Sequence, residues 1–288
     1  MSTSSPLIPA YSAIVDRKRF NLPENARIAV WLIINIENWY LEAPARTLLS
    51  TPQGIKSKID VPNYAWHDYG MRVGFWRIKP ILKKLDFKPT IALNGSVCTE
   101  YPRVAEGCKD DGWEIMGHGY TQRILPSEPD EEEAIVKARD AIKSFFGKSP
   151  RGWLGPGLAE TQDTLKLLAK SGYDYVCDWV NDDQPYETSV KGLYSVPYSI
   201  ELNDIVMFAN QHFPAEEFYE RVKRSFDVLY EEGEENPRVL GVAIHPYLSG
   251  VPQRIKILEK TLQYIISKEK KVWVATGSEI LDAFRVTH

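Results

Sequence analysis

The 288-residue chain carries 35 Lys and Arg against 39 Asp and Glu, a formal net charge of −4, with 43% hydrophobic and 26% charged residues. These ordinary globular proportions allow a sizeable core, and the lack of a basic excess excludes nucleic acid as an expected partner, because phosphate binding needs clustered Lys and Arg. Three cysteines with no close pairing, an N-terminal stretch without a basic-then-apolar pattern, and no run of 18 apolar residues together predict a soluble, cytoplasmic protein with neither a disulfide framework nor a membrane partner.

Apolar runs of strand length alternate with amphipathic runs of helix length. Residues 1–26 precede any strand signal and read as an N-terminal arm. Its anchors, Tyr11 and Phe20, are expected to pack on a neighbouring copy or close the floor of the fold, so a homo-oligomer is expected. A buried strand is predicted over 27–36 (RIAVWLIINI), then a helix over 69–85 with Val73, Trp76, Ile81 and Leu85 at helical spacing and a kink at Pro80. Strand PTIAL, helix VAEGCKDDG, strand WEIMG and helix EEEAIVKARDAIKSFFG follow. The last has glutamates in its first turn and Gly147 past its end, as the helix dipole and C-cap favour. Next come strand RGWLG, helix TQDTLKLLAKSG capped by Thr161 and Gly172, and strands YDYVCDW and GLYSVPY. Helix AEEFYERVKRSFDVLYEEG, strand RVLGVAIHP, helix QRIKILEKTLQYIISKE, strand KVWVATG and helix SEILDAFRV complete the series. Serial alternation means parallel strands joined by right-handed crossovers. Seven or eight such units predict an α/β fold, a (β/α) barrel, as one domain over 27–288.

In a parallel barrel the reactive groups gather at the C-terminal strand ends. The first strand ends in Glu37, Asn38 and Trp39, the second in Asn94 and Gly95, and the third in His118 to Gln122; Asp178 and Trp179 follow a later strand, and His245 a later one still. A carboxylate and two histidines therefore converge on one rim. A glutamate against a buried run is costly unless paired or useful, which favours a functional Glu37 over a surface cap. His118 alone reads equally well as a hydrogen-bonded loop histidine. His245 stands before a proline that fixes an extended backbone there. Of the acidic residues in DWVNDD only Asp178 directly follows a strand; the others read as turn formers. Cys98 and Cys177 read as small core or rim residues, since neither has a base beside it. Tyr64, Trp66, Trp39 and Tyr120 could wall a pocket or simply pack the rim.

The order of YGMRVGFWRI, EIMGHGY and HPYLSGVPQR, within a likeness running from Arg27 to about Phe284, resembles the polysaccharide deacetylase family, the NodB-like carbohydrate esterases. Within it the motifs are similar to the branch containing metal-independent bacterial allantoinases and cytoplasmic peptidoglycan-deacetylase-like proteins. The resemblance implies an irregular (β/α) barrel. It places Glu37 and Asn38 where the family has two adjacent aspartates, a base and a metal ligand, and His118 and Gln122 where it has two metal-binding histidines. Leu154 stands where an arginine steadies the base. Asp178 and Trp179 match the acidic residue and tryptophan near the catalytic histidine, and His245 matches the histidine that protonates the leaving amine.

Asn38, His118 and Gln122 offer one good ligand and no negative charge to offset a divalent cation. The expectation is therefore no cofactor, and a metal-independent hydrolase of a small amide, ureide or amino-sugar substrate. Zinc or another divalent metal belongs to the alternative, a deacetylase of polysaccharide or peptidoglycan fragments; a silent ligand-binding barrel is a second alternative. Glu37, raised in pKa by apolar surroundings, is expected to take a proton from water. His118, Asn38 or backbone N–H groups near Gly95 would stabilise the oxyanion, and His245, oriented by Asp178, would protonate the departing nitrogen. Asn38, His118, Gln122, Trp39, Tyr64, Tyr120 and Trp179 are the expected substrate contacts.

Overall fold

The first apolar run becomes β1 (Ile28–Ile36), and all nine of its residues are buried in a computed structural model that describes residues 7–42, 59–268 and 270–287. The first six residues of the predicted arm lie outside these. Strand side chains alternate between faces, and both faces of β1 meet apolar surroundings. Ile28, Val30, Leu32, Ile34 and Ile36 join the core shared with the helices, while Ala29, Trp31 and Ile33 join the core inside the curved sheet. A strand covered on both sides is what a parallel sheet demands.

The remaining strands are β2 (Thr90–Leu93), β3 (Glu114–Gly117), β4 (Gly152–Trp153), β5 (Tyr175–Val176), β6 (Tyr186–Glu187), β7 (Tyr194–Ser195), β8 (Arg238–Ile244) and β9 (Val272–Val274). Their order is β6-β7-β5-β4-β3-β2-β1-β8, with β9 also paired to β1. Only β6 with β7 is antiparallel among these pairings. No strand ladder joins β8 to β6. Instead Val239 N–H donates to the Asp183 carbonyl (2.9 Å) and Ala243 N–H to that of Leu202 (3.0 Å), so irregular chain covers the open edge. The result is a half-barrel of parallel strands, the irregular form of the expected barrel.

The helices are α1 (Val61–Tyr69), α2 (Phe75–Lys84), α3 (Val97–Glu100), α4 (Pro102–Asp110), α5 (Glu131–Phe146), α6 (Thr164–Lys170), α7 (Ala215–Glu232), α8 (Pro246–Ser249), α9 (Pro252–Ile266) and α10 (Gly277–Thr287). No helix among the described residues is long and apolar enough to cross a membrane. In α5 the Asp130 carboxylate accepts the Glu133 N–H at 2.9 Å and Gly147 ends the helix at φ 80°, the capping expected there.

Three local readings change. Helix α1 has little apolar periodicity; it starts because the Asp60 carboxylate accepts the Asn63 N–H at 3.2 Å and a proline occupies its first turn. The predicted 69–85 run contains a π turn over Gly70–Gly74 between α1 and α2, and the expected kink position, Pro80, lies inside α2. Thr161 precedes α6 without capping it, its hydroxyl accepting the Asp163 N–H at 3.1 Å. As for the arm, Phe20 is wholly buried in the interior core with its ring 5.8 Å from that of Phe284, so it closes the floor of its own barrel, whereas Tyr11 is 93% exposed and anchors nothing there.

The π turn bears on the site. A methyl group at Gly74 would overlap the Pro246 carbonyl, and one at Gly70 would come within 2.9 Å of the Tyr247 nitrogen, so the backbone after His245 lies directly on this turn. Gly74→Ala should therefore cost about 1–3 kcal/mol of stability, as overpacking does. Urea denaturation of both proteins measures it.

Candidate active site

Glu37, the residue directly after β1, is buried, and a lone carboxylate there would be expensive. Donors surround it. Its Oε1 accepts the Gln122 amide N–H at 2.9 Å and lies 3.3 Å from His245 Nε2, and its Oε2 accepts Trp39 Nε1–H at 3.0 Å and the Tyr247 hydroxyl at 3.4 Å. His118 Nε2 is 3.6 Å from Oε1.

His245 follows β8, the neighbour of β1, and is held from behind by Asp204. One Asp204 oxygen accepts His245 Nδ1–H at 2.7 Å; the other accepts the His245 backbone N–H at 2.8 Å and the Ser249 hydroxyl at 2.6 Å. Burial alone would lower the His245 pKa, but the charges of Glu37 and Asp204 outweigh it and push it up to about 10. Burial likewise tends to raise Glu37, yet the charge of His245 beside it overcomes this and holds the carboxylate well below the usual range. The expected upward shift of Glu37 is thus reversed: its sequence neighbours are apolar, but its spatial neighbours are donors. At rest the pair is a carboxylate and an imidazolium. The His245 contribution to stability is full below about pH 6.5 and is lost as pH rises through about 10; that of Glu37 is full above about pH 4.5 and is lost as pH falls through its lowered value.

Asn94, after β2, ties the loop ends together. Its Oδ1 accepts the Asn38 backbone N–H at 2.7 Å, and its side-chain amide donates to the His118 carbonyl and, at 3.2 Å, to Gln122 Oε1. Asn38 Nδ2 donates to Ser96 Oγ at 2.9 Å, and Gly95 N–H donates to the Gly119 carbonyl at 2.9 Å. These donors, expected at an oxyanion, are engaged within the protein.

Two histidines are each held through Nδ1 by a backbone carbonyl. His118 Nδ1 donates to the Leu154 carbonyl at 2.6 Å and His67 Nδ1 to that of Asn63 at 2.6 Å, which leaves both Nε2 atoms without a proton in the neutral ring. Both Nε2 atoms are buried with no hydrogen-bond partner among the described residues. His67 lies among Trp39, Trp66 and Tyr247, with ring centroids 4.6, 4.9 and 4.6 Å away, and burial lowers its pKa, keeping it neutral.

Asp178 does not orient His245; Asp204 does so, from the irregular chain that lies along the open edge of β8. Asp178 instead accepts the Gly155 N–H at 2.6 Å. Other expected wall residues have polar contacts elsewhere: Trp179 Nε1 donates to Glu160 at 3.2 Å, the Tyr64 hydroxyl lies 3.5 Å from that of Tyr101, and Lys137 Nζ sits 3.9 Å over the Tyr120 ring. Cys98 and Cys177 are buried, and burial pushes both thiols upward, as suits core residues. Asp204, Tyr247, Asn94 and His67 complete the site. Tyr247 and Asn94 carried a signal, lying three residues and one residue after strand ends; Asp204 and His67 carried none.

The polysaccharide deacetylase model matches residues 64–176. A Schizosaccharomyces pombe protein described as a polysaccharide deacetylase is 31% identical over 303 residues, spanning 92% of each chain. The chain belongs to the polysaccharide deacetylase family. A peptidoglycan deacetylase of Helicobacter pylori is 27% identical over 248 residues, 74% of this chain and 84% of that one. The crystal structure of Puue allantoinase matches with a TM-score of 0.82 at 26% identity, over 94% of this chain and 95% of the other. This member of the deacetylase family is a hydrolase of carbon–nitrogen bonds.

A metal in the family's usual position does not fit the residues of this chain. Gln122 turns its N–H toward Glu37 and its oxygen toward Asn94, and Asn38 is bonded to Ser96. Among the described residues no group of three or more His, Cys, Asp or Glu side chains is arranged to hold a metal ion.

If Asp204 sets the charge of His245, Asp204→Asn should lower kcat roughly 10²- to 10⁴-fold, as loss of an acid's orienting carboxylate does. The alkaline limb of the rate profile should also move below the position set by a pKa of about 10. A pH series of kcat for both proteins measures this.

Proposed function

We propose that this protein hydrolyses the carbon–nitrogen bond of a small amide or ureide without a metal, with Glu37 as base and His245 as acid. The observation that carries the reading is the contact between the two, 3.3 Å apart, with Asp204 behind the histidine and an amide N–H of Gln122 on the glutamate.

Glu37 Oε1 and the bare His118 Nε2 are acceptors facing each other at 3.6 Å, and a water that donates one hydrogen to each satisfies both. That leaves its lone pair for the carbonyl carbon. As the new carbon–oxygen bond forms, Glu37 takes the water's proton; as the carbon–nitrogen bond breaks, the nitrogen takes the proton on His245 Nε2. The proton on Glu37 then crosses to His245 and restores the resting pair. Asp204 keeps Nδ1 protonated, so the proton that moves is the one on Nε2.

The bare Nε2 of His67 favours a substrate whose nitrogen carries a hydrogen, since it is a buried acceptor that costs about 1–3 kcal/mol while unsatisfied. Ureides and primary amides supply such donors, and the allantoinase among the similar structures supports the same class.

Glu37→Gln and His245→Ala should each lower kcat at least 100-fold on a cyclic ureide or small amide that the native protein turns over, within the usual contribution of acid–base groups. A variant that keeps most of its kcat removes that residue from the mechanism. Asn38→Asp combined with Gln122→His should create zinc binding that the native protein lacks, because it restores a carboxylate and a second imidazole beside His118. Calorimetric titration of zinc into both proteins reads this, and equally tight binding by the native protein would overturn the metal-free reading.

A further inference from the structure

The sequence HPYLSGVPQR begins with His245 and ends with Arg254, and the reaction scheme uses only its beginning. Arg254 stands in the first turn of α9, where it lines a cavity of about 590 Å³ together with Trp66 and Tyr69 of α1, Phe208, Tyr247 and Gln253. That volume suits a small ligand. The cavity adjoins the site: Tyr247 lines it and also reaches Glu37 with its hydroxyl at 3.4 Å. Trp66 packs on the rings of both Tyr247 and His67, with centroids 5.0 and 4.9 Å away.

Arg254 is the one charged side chain among the described residues that line this cavity, and it has no carboxylate paired to it there. Its guanidinium lies over the Phe208 ring, 4.2 Å from the centroid, and Nη1 donates one long bond to the Leu248 carbonyl at 3.3 Å. Stacking occupies the face of the fork and leaves most of its edge N–H donors available. Other arginines of low exposure are paired: Arg17 meets Asp182 at 2.6 Å, and Arg238 meets Glu232 at 3.2 Å. Asp204 acts on Arg254 through charge alone, its oxygens being taken by His245 and Ser249, and burial lowers the Arg254 pKa. A guanidinium held partly out of water with donors to spare is compensated by a bound anion.

The charges of the site point the same way. Glu37 and Asp204 against protonated His245 leave the reacting centre with an excess of negative charge, which repels an anionic substrate unless a cation offsets it. Arg254 is placed to do so. We propose that this cavity is a subsite for a carboxylate carried by the substrate itself, with Arg254 as its binding residue, so that the compound hydrolysed is an N-acyl or N-carbamoyl amino acid. Two parallel N–H···O bonds from the fork hold the carboxylate, and the aromatic walls take the apolar part of the molecule. The assignment of this carboxylate to the substrate rests on the hydrolase reading above.

Levulinate, in which a methylene replaces the amide nitrogen of acetylglycine, has no carbon–nitrogen bond to break and so probes the subsite apart from turnover. Calorimetric titration into the full chain should show levulinate binding roughly ten- to a hundredfold more tightly than its uncharged methyl ester, the usual contribution of hydrogen bonds to a charged group. Arg254→Gln should abolish that preference, and Arg254→Lys should recover part of it, because an ammonium keeps the charge and loses the fork. Acid and ester bound alike by the native protein, or a preference that survives in Arg254→Gln, overturns the proposal. Inorganic phosphate that binds without displacing levulinate from the native protein, while losing its own binding in Arg254→Gln, would make this an independent anion seat and overturn it as well. On acetylglycine, Arg254→Gln should raise KM roughly ten- to a hundredfold with kcat little changed, and it should leave KM for acetylglycinamide unaltered. An equal rise for both compounds would make Arg254 a wall residue only and overturn the proposal. Full turnover in Glu37→Gln would sink the reaction scheme, whereas the levulinate preference is read without it.

Discussion

A carboxylate buried at the end of the central strand has to be compensated, and the site is organised around that necessity. β1 delivers Glu37 into surroundings where an unpaired charge would cost several kcal/mol. The chain answers with groups from distant elements: Gln122 beyond β3, Trp39 beside it, and His245 beyond β8. The histidine can carry its charge there only because Asp204 supplies a second negative group behind it. The same arrangement that makes the burial tolerable produces an acid and a base in contact.

In the family's resemblance-based pattern a cation would draw negative charge and imidazoles together. Here amides stand at two of those positions, and amides can act as donors. Gln122 directs an N–H to Glu37 and Asn94 bonds to Asn38, His118 and Gln122 alike. A lattice of neutral hydrogen bonds thereby fixes the loop ends. It also leaves the buried Nε2 atoms of His118 and His67 without a hydrogen-bond partner among the described residues.

The fold was legible where one element explains its own burial. The run RIAVWLIINI reads as a doubly covered strand, and α5 announces both ends through Asp130, its glutamates and Gly147. The site was legible as a set of strand-end residues, so Glu37, His118, Gln122, Trp39 and His245 were found together. What failed to show were relations between distant segments. Asp204 lies in SIELNDIVMFANQHF, a stretch with no strand or helix pattern of its own, and acquires its role by lying beside β8. Glu37 seemed destined for a raised pKa because sequence shows the apolar residues before it and not the donors that arrive from elsewhere. His67 sits on α1, whose apolar pattern is weak and whose start depends on Asp60.

The pairing of β1 with β8 has a kinetic meaning. Ile28 is in register with Arg238 and Ile34 with Ile244, so the contact that brings base to acid closes a loop of about two hundred residues. Such non-local pairings are slow to form and come late, after local helices and the run of strands from β2 to β5 have had the opportunity to condense. During synthesis the base emerges early and must wait for nearly all of the remaining chain before its partner exists. In that interval an intensely apolar strand is without its covering neighbour, which makes the nascent chain a natural client for chaperones and makes β1 the segment through which misassembly would begin.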